Sequence, residues 1–554
     1  MEAPVQRNAC KQCGENFELF AADLAFYQRF EVPAPTLCSD CRQIRRMLQV
    51  NQLHLFRRSC DGTGQPIVTC YPPEAPYRVY RQDYWYSDAV DNSAQGRDFD
   101  FSRGFFEQFA ELQRAVPRPA LFTDFARDEN SAYTNFAGRN KNCYLIFDSD
   151  ENWDCLYGYS INGSKNSVDC YRAEGAELCY ELVDCRNCYG SAFLSNCENC
   201  HDSFLLENCI GCKNCLMCCN IRQKEYHVMN EPVSKEQFQA LREGLKSYET
   251  LGELVKTFRQ FRLQFPQKFL RGFQNENVFG NYLTNAKNAW QCFDCRDIWD
   301  ARYSFQSFME LKDCMDTDEC GEGELLYECA NLGYTAYFVR FSQMCLNQIN
   351  NLTYCELCFN GCSELFGCIG LKKKQYCILN KQYSEAEYKK LLPRIMKKMR
   401  ETGEWGENFP ASCATTPYNL SVAQFFRPLE KAEALRQGYA WRDEEPAAAR
   451  AECYQLPDSI EAADDALVGE VLSCERCRRN YKIIAQELKF YRERGLPVPR
   501  KCFLCRHSSR LELRTPRRLW ARSCAKCNTP FHTAFSPERP EIVYCERCYQ
   551  QAVE

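Results

Sequence analysis

At 554 residues the chain is longer than one hydrophobic core supports, so three to five domains are expected. Its apolar and charged fractions, 45% and 26%, are those of a globular protein. No apolar stretch approaches the roughly 20 residues that span a bilayer, and no signal-peptide pattern opens the chain, so a cytoplasmic protein is expected. The 40 cysteines are then read as metal ligands or core residues rather than a disulfide framework. The net charge of −5 conceals a basic stretch, with 16 Lys/Arg against 4 Asp/Glu over 471–530, preceded by 9 acidic residues and one basic residue over 443–470.

The first predicted element, 1–58, carries Cys10-x2-Cys13, a gap of 24 residues, and Cys38-x2-Cys41. Two residues between cysteines let a tight knuckle aim both thiolates at one ion, and two knuckles close a tetrahedral zinc site with no position left for water. Such a site is structural, and in a unit of about 40 residues zinc binding supplies the folding free energy. The segment 59–128 reads as a cap on the first repeat array, with aromatics over 77–86 and a helix-like run over 101–115 ended by Pro117 and Pro119. Cys60 and Cys70 are candidate metal ligands there, on weak evidence because they lack a second pair.

An array of cysteines follows, many preceded by Asn or Asp, as in Asn142-Cys143, Asn196-Cys197, Asn199-Cys200 and Asn208-Cys209. Cys185, Cys197 and Cys209 step by 12, as do Cys188, Cys200 and Cys212. Short repeats of this kind predict a β-helix with a cysteine ladder inside and aromatics such as Tyr144, Tyr171, Tyr180 and Tyr189 on the other face. Three readings of the array cysteines compete: small core hydrophobes, further metal sites (Cys209, Cys212, Cys215 and Cys218 above all), and redox or disulfide chemistry. A shift of 146 residues upstream and 150 downstream superposes a second array on the first. Each ends in a capping box, Ser234 with Gln237 and Ser384 with Glu387, so two solenoid halves closed by helices are predicted over 129–265 and 273–402. An extension and acidic linker fill 403–470.

The last two elements are again zinc modules. Over 471–510, Cys474-x2-Cys477, 24 residues and Cys502-x2-Cys505 repeat the first module, with Phe26-Tyr27 matching Phe490-Tyr491 and Arg42 and Arg46 matching Arg506 and Arg510. Over 511–554, Cys524-x2-Cys527 and Cys545-x2-Cys548 form a third; His532 between its pairs reads as a surface residue. The fold class expected is mainly β with helices, two duplicated cysteine-rich β-helix-like halves flanked by zinc ribbon or treble-clef modules, with three zinc ions as cofactors.

The Phe-Tyr and Pro-x-Pro…Cys-x2-Cys-Arg pattern of Cys10 to Arg46 and Cys474 to Arg510 resembles the treble-clef-like zinc-ribbon family. The whole chain, including Tyr80-Arg-Gln-Asp-Tyr-Trp and the Asn-Cys array, is similar to large bacterial zinc-ribbon proteins. The resemblance implies zinc at the matching cysteines and carries no activity.

With five histidines and no HExxH, Walker A or G-x-S-x-G pattern, the chain is expected not to be an enzyme. The leading expectation is a nucleic-acid or ribonucleoprotein partner for the basic C-terminal modules. Arg478, Arg479, Arg500, Lys501, Arg506, Arg510, Arg517 and Arg518 would touch phosphate, and Tyr481, Phe490, Tyr491 and Trp520 would stack. Against it stands a basic face that docks on the chain's own acidic linker or solenoid. The alternatives are a protein-interaction scaffold using the solenoid surface, whose first half carries 13 acidic against 6 basic residues over 143–230, and metal storage, which requires far more than three ions.

Overall fold

The computed structural model describes residues 3–443 and 454–553, and the middle of the acidic linker, 444–453, lies outside them. The chain is mainly sheet with some helices, and most strand pairs are parallel. It divides into two compact units, Met1–Ala120 with Leu270–Arg442, and Leu121–Phe269 with Asp443–Glu554. This corrects the expected cap: most of 59–128 groups with the second array rather than the first.

In the unit that holds the first array, residue i pairs in parallel with residue i+12. Lys141, Trp153, Lys165, Glu177, Tyr189, His201, Lys213 and Glu225 form one such ladder. Every third residue adopts a left-handed backbone: φ is 53° at Asn142, 53° at Asn196, 52° at Asn199 and 57° at Asn208. That region is open to glycine and, among other residues, mainly to Asn and Asp. The residues that follow these four, Cys143, Cys197, Cys200 and Cys209, are buried. The Asn-Cys pairs thus record a corner followed by a core position.

Inside, cysteine and serine share one column: Cys143, Cys155, Ser167, Cys179, Ser191, Ser203 and Cys215. Each donates to the carbonyl two residues back, at 3.4 Å from Cys143, 2.9 Å from Ser191 and 3.3 Å from Cys215. A small side chain with one weak donor fits this narrow core and satisfies a buried carbonyl. The thiols of this column are therefore core residues, and elsewhere in the array burial pushes Cys170 up to about 12.

The second array repeats the plan with four longer steps. Ile298 pairs with Leu311, Gly323 with Ala336, Ala336 with Ile349, and Asn350 with Ser363, each 13 residues on. Each extra residue makes a doubled left-handed corner, at Met309–Glu310, Tyr334–Thr335, Asn347–Gln348 and Asn360–Gly361. Four added residues explain why the offset between the arrays grows from 146 to 150. They also mean that Cys170 and Cys320, which align at 150, are not equivalent positions.

Both arrays end alike. The last parallel strand, His227–Val228 or Gln375–Ile378, is closed by a tight antiparallel return, Glu231–Pro232 or Lys381–Gln382. The two predicted capping boxes then start the helices Lys235–Glu243 and Glu385–Glu401. Phe238 and Tyr388 seal the ends against Tyr226 and Tyr376, with ring centroids 5.9 and 5.7 Å apart.

Candidate metal centres

Each paired-cysteine module builds its site from a hairpin and a helix start. The first pair sits at the turn of Gln6–Ala9 with Asn16–Leu19, Leu472–Ser473 with Asn480–Tyr481, or Trp520–Ser523 with Pro530–Thr533. The residue four after the first cysteine turns left-handed in all three, with φ of 78° at Gly14, 60° at Arg478 and 58° at Asn528. The second pair opens a helix: Cys38 caps Ser39–Met47, Cys502 caps Phe503–Leu511, and Cys545 directly precedes Glu546–Val553. A helix N-terminus and the knuckle's N–H groups both favour thiolate.

Three groups result: Cys10, Cys13, Cys38 and Cys41; Cys474, Cys477, Cys502 and Cys505; and Cys524, Cys527, Cys545 and Cys548. In each, the four Sγ atoms lie within 4.8 Å of one another and could hold a metal ion. Across the pairs, Cys13 to Cys38 measures 3.8 Å, Cys477 to Cys502 3.6 Å and Cys527 to Cys545 3.7 Å. Tetrahedral bonds near 2.3 Å put sulfurs about 3.8 Å apart, so this donor set fits a zinc-type ion. Backbone N–H groups support the sulfurs, from Cys38 to Cys10 at 3.3 Å and from Cys545 to Cys524 at 3.4 Å. At Cys474 burial works upward, but N–H donors from Cys477, Cys502 and Arg476 outweigh it and bring the thiol down to about 6.

His532 belongs to none of these groups, and among the described residues no array cysteine joins a further group of three or more ligands. Cys200 is buried while the neighbouring His201 is exposed, so they form no reactive pair.

The helix that carries the second cysteine pair also aims two arginines one turn apart. Arg42 donates to Asp316 at 2.9 Å, and Arg46 donates to Asp318 at 2.7 Å and Glu328 at 2.9 Å. In the other unit Arg506 pairs with Asp169 and donates to Tyr491 Oη at 3.0 Å, while Arg510 donates to Asp169 at 2.9 Å and Glu181 at 3.2 Å. Arg514 adds Asp184 at 2.7 Å. Desolvation alone would lower the Arg42 pKa, and Asp316 foremost reverses this, so the guanidinium stays charged. The acceptors stand one 12-residue step apart in both arrays, Asp169 with Glu181 and Asp316 with Glu328.

This geometry corrects part of the nucleic-acid expectation. Arg506 and Arg510 are 4% and 1% exposed, so they cannot reach phosphate. Phe490 and Tyr491 are buried, with Tyr491 5.6 Å from Tyr180 between ring centroids, and cannot stack on bases. Arg500 lies half-buried over the Tyr248 ring at 4.1 Å. Arg479, Lys501 and Arg517 are half-buried, while Arg478 and Arg518 are exposed. The linker acids take part too: Asp465 pairs with Arg492 at 2.6 Å. The carboxylates that receive the arginines were not singled out from sequence, although Asp169, Asp184 and Glu328 each precede a core cysteine at a corner position.

The fold and sites define a cysteine-rich, mainly-β chain with three four-thiolate groups able to hold metal. No protein-family model matches it, and no curated protein matches it. Among solved structures, one described as a "putative acetyltransferase" from Desulfovibrio desulfuricans G20 aligns at 10% identity over 44% of this chain, with a TM-score of 0.10. The chain spans 63% of that protein's length. The expectation that the chain is not an enzyme is withdrawn: the neighbour bears an enzyme's description, and at that TM-score the likeness establishes nothing about this chain's activity. No helix among the described residues is long and apolar enough to cross a membrane.

Proposed function

We propose that the chain is a zinc-dependent binding scaffold for a protein partner, in which two β-helical solenoids present the surface and the zinc ribbons lock them. The observation that carries this reading is the repeated clamp, Arg42 and Arg46 in one unit and Arg506 and Arg510 in the other, each aimed from a helix that opens at a four-thiolate group into corner carboxylates of an array. Zinc held by four thiolates would fix the helix start and hence the two arginines behind it. Guanidinium groups suit this role because their planar fork holds several carboxylate oxygens at once. Five of the 16 basic residues of 471–530 that favoured nucleic acid are engaged within the unit: Arg476 with Glu512 at 2.8 Å, Arg492 with Asp465 at 2.6 Å, and Arg506, Arg510 and Arg514 with the array. Regular repeat surfaces are well suited to protein docking.

The test is a tagged pull-down from native lysate, split with and without nuclease, with zinc counted on the same eluate. A stoichiometric protein that survives nuclease is expected, with three zinc ions per chain. Partners that disappear with nuclease would overturn the scaffold reading and return the function to the exposed Arg478 and Arg518.

A further inference from the structure

The third module has a counterpart that its cysteines do not reveal. Moving back 464 residues, the offset that already relates Cys474 to Cys10, places Trp520 on Phe56, Arg522 on Arg58, Ser523-Cys524 on Ser59-Cys60, Pro530 on Pro66, Thr533 on Thr69 and Val543-Tyr544 on Val79-Tyr80 without a gap. The remaining ligands, Cys527, Cys545 and Cys548, fall on Thr63, Arg81 and Tyr84.

The fold agrees in detail. Phe56–Ser59 and Pro66–Thr69 form the same hairpin as Trp520–Ser523 and Pro530–Thr533. Gly64 turns left-handed at φ 72°, where Asn528 has 58°. The Arg58 guanidinium donates to the carbonyls of Pro72 and Tyr77 at 3.2 Å each, as Arg522 does to those of Ser536 and Glu541 at 3.2 and 3.4 Å. Val79–Tyr80 and Val543–Tyr544 each join a two-residue parallel strand, and Gln82–Tyr86 stands where Glu546–Val553 begins. The sulfur support also persists: Arg81 N–H donates to Cys60 Sγ at 3.3 Å, as Cys545 N–H does to Cys524 Sγ at 3.4 Å.

We infer that 56–86 is a fourth copy of the module that has exchanged its metal for a side-chain plug, leaving Cys60 as the surviving ligand. The Tyr84 ring lies so close over the knuckle that a Cβ on Gly62 would come within 2.4 Å of it. Arg81, at a ligand position, pairs outward with Asp83 instead. Burial raises the Cys60 thiol, yet the Thr63 hydroxyl and the N–H groups of Arg81, Gly62 and Thr63 outweigh it, so the group sits below the ordinary thiol range. That pull is what a sulfur cradle built for a thiolate exerts. Hydrogen bonds, the tyrosine plug and the strand to Arg118–Pro119 replace the free energy that metal supplies in the other three copies.

The inference is tested in the full-length chain with two matched substitutions, reading zinc per chain and amide hydrogen exchange. Cys524→Ala is expected to lower zinc from three to two and to abolish protection over 520–550. Cys60→Ala is expected to leave zinc at three and the hairpin at 56–69 protected. A drop of one zinc in Cys60→Ala, or four zinc ions in the unmodified chain, would overturn it. Thr63→Cys with Arg81→Cys and Tyr84→Cys is expected to raise zinc to four; a folded triple variant that stays at three would also count against it.

Discussion

At the scale of single residues, the corner positions decide which side chains the arrays accept. Asn199 is exposed and left-handed at φ 52°. Asn199→Gly should leave stability nearly unchanged, whereas Asn199→Val should destabilise by about 1–2 kcal/mol, because a β-branched side chain crowds the following carbonyl there. Denaturant midpoints at constant slope measure both. Asp128 offers a pH test. Desolvation, with Asp124 and Asp150 nearby, pushes its carboxyl up to about 6, and one of its oxygens is buried without a partner among the described residues. A carboxyl raised on folding holds its proton more tightly in the folded state, so stability falls as pH rises from about 4 to 6. Asp128→Asn should keep the bond from Asn140 N–H and flatten that decline. A gain of about 1 kcal/mol at neutral pH is expected once solvent screening is allowed for.

At the scale of elements, the helix starts and coil lengths were legible for different reasons. In both capping boxes the reciprocal pattern holds: Ser384 Oγ accepts from Glu387 N–H at 3.3 Å and Glu387 Oε2 accepts from Ser384 N–H at 2.9 Å. Ser384→Ala should cost about 1 kcal/mol and fray the first turn of Glu385–Glu401, read by hydrogen exchange. Capping is local in sequence and could be read directly. The step from 12 to 13 residues per coil could not, since one extra left-handed residue at an exposed corner leaves the core pattern intact. It surfaced in the sequence only as two incompatible offsets.

At the scale of the whole molecule, each unit carries its buried arginines on a helix that opens at a four-thiolate group. Chelation should remove three zinc ions per chain and, with them, the exchange protection of Ser39–Met47 and Phe503–Leu511. Removing one partner of a buried pair typically costs about 3–5 kcal/mol, so loosening an arginine helix leaves acceptors such as Asp169 and Asp316 uncompensated. Protection in the adjoining strands should therefore weaken as well, whereas loss confined to the modules would show that the clamp contributes little. A count well above three in the untreated chain would revive metal storage.

The sequence by itself determined what depends on short spacings: the paired cysteines of three metal groups, the 12-residue step with its Asn-Cys corners, and both capping boxes. Each is set by bonds among residues close along the chain or by a strict repeat. Only the tertiary structure decided which module meets which array, because Cys10 to Arg46 docks on residues some 270 positions away while 121–269 takes the C-terminal modules. Burial of Arg506 and Arg510 followed from that pairing, since an arginine reads alike in sequence whether its counter-ion is a phosphate or a carboxylate brought in from a distant coil. The fourth module was hidden for a different reason: three of its four ligand positions hold Thr63, Arg81 and Tyr84, so no cysteine pair marks it and only the shared hairpin and its hydrogen bonds reveal the match.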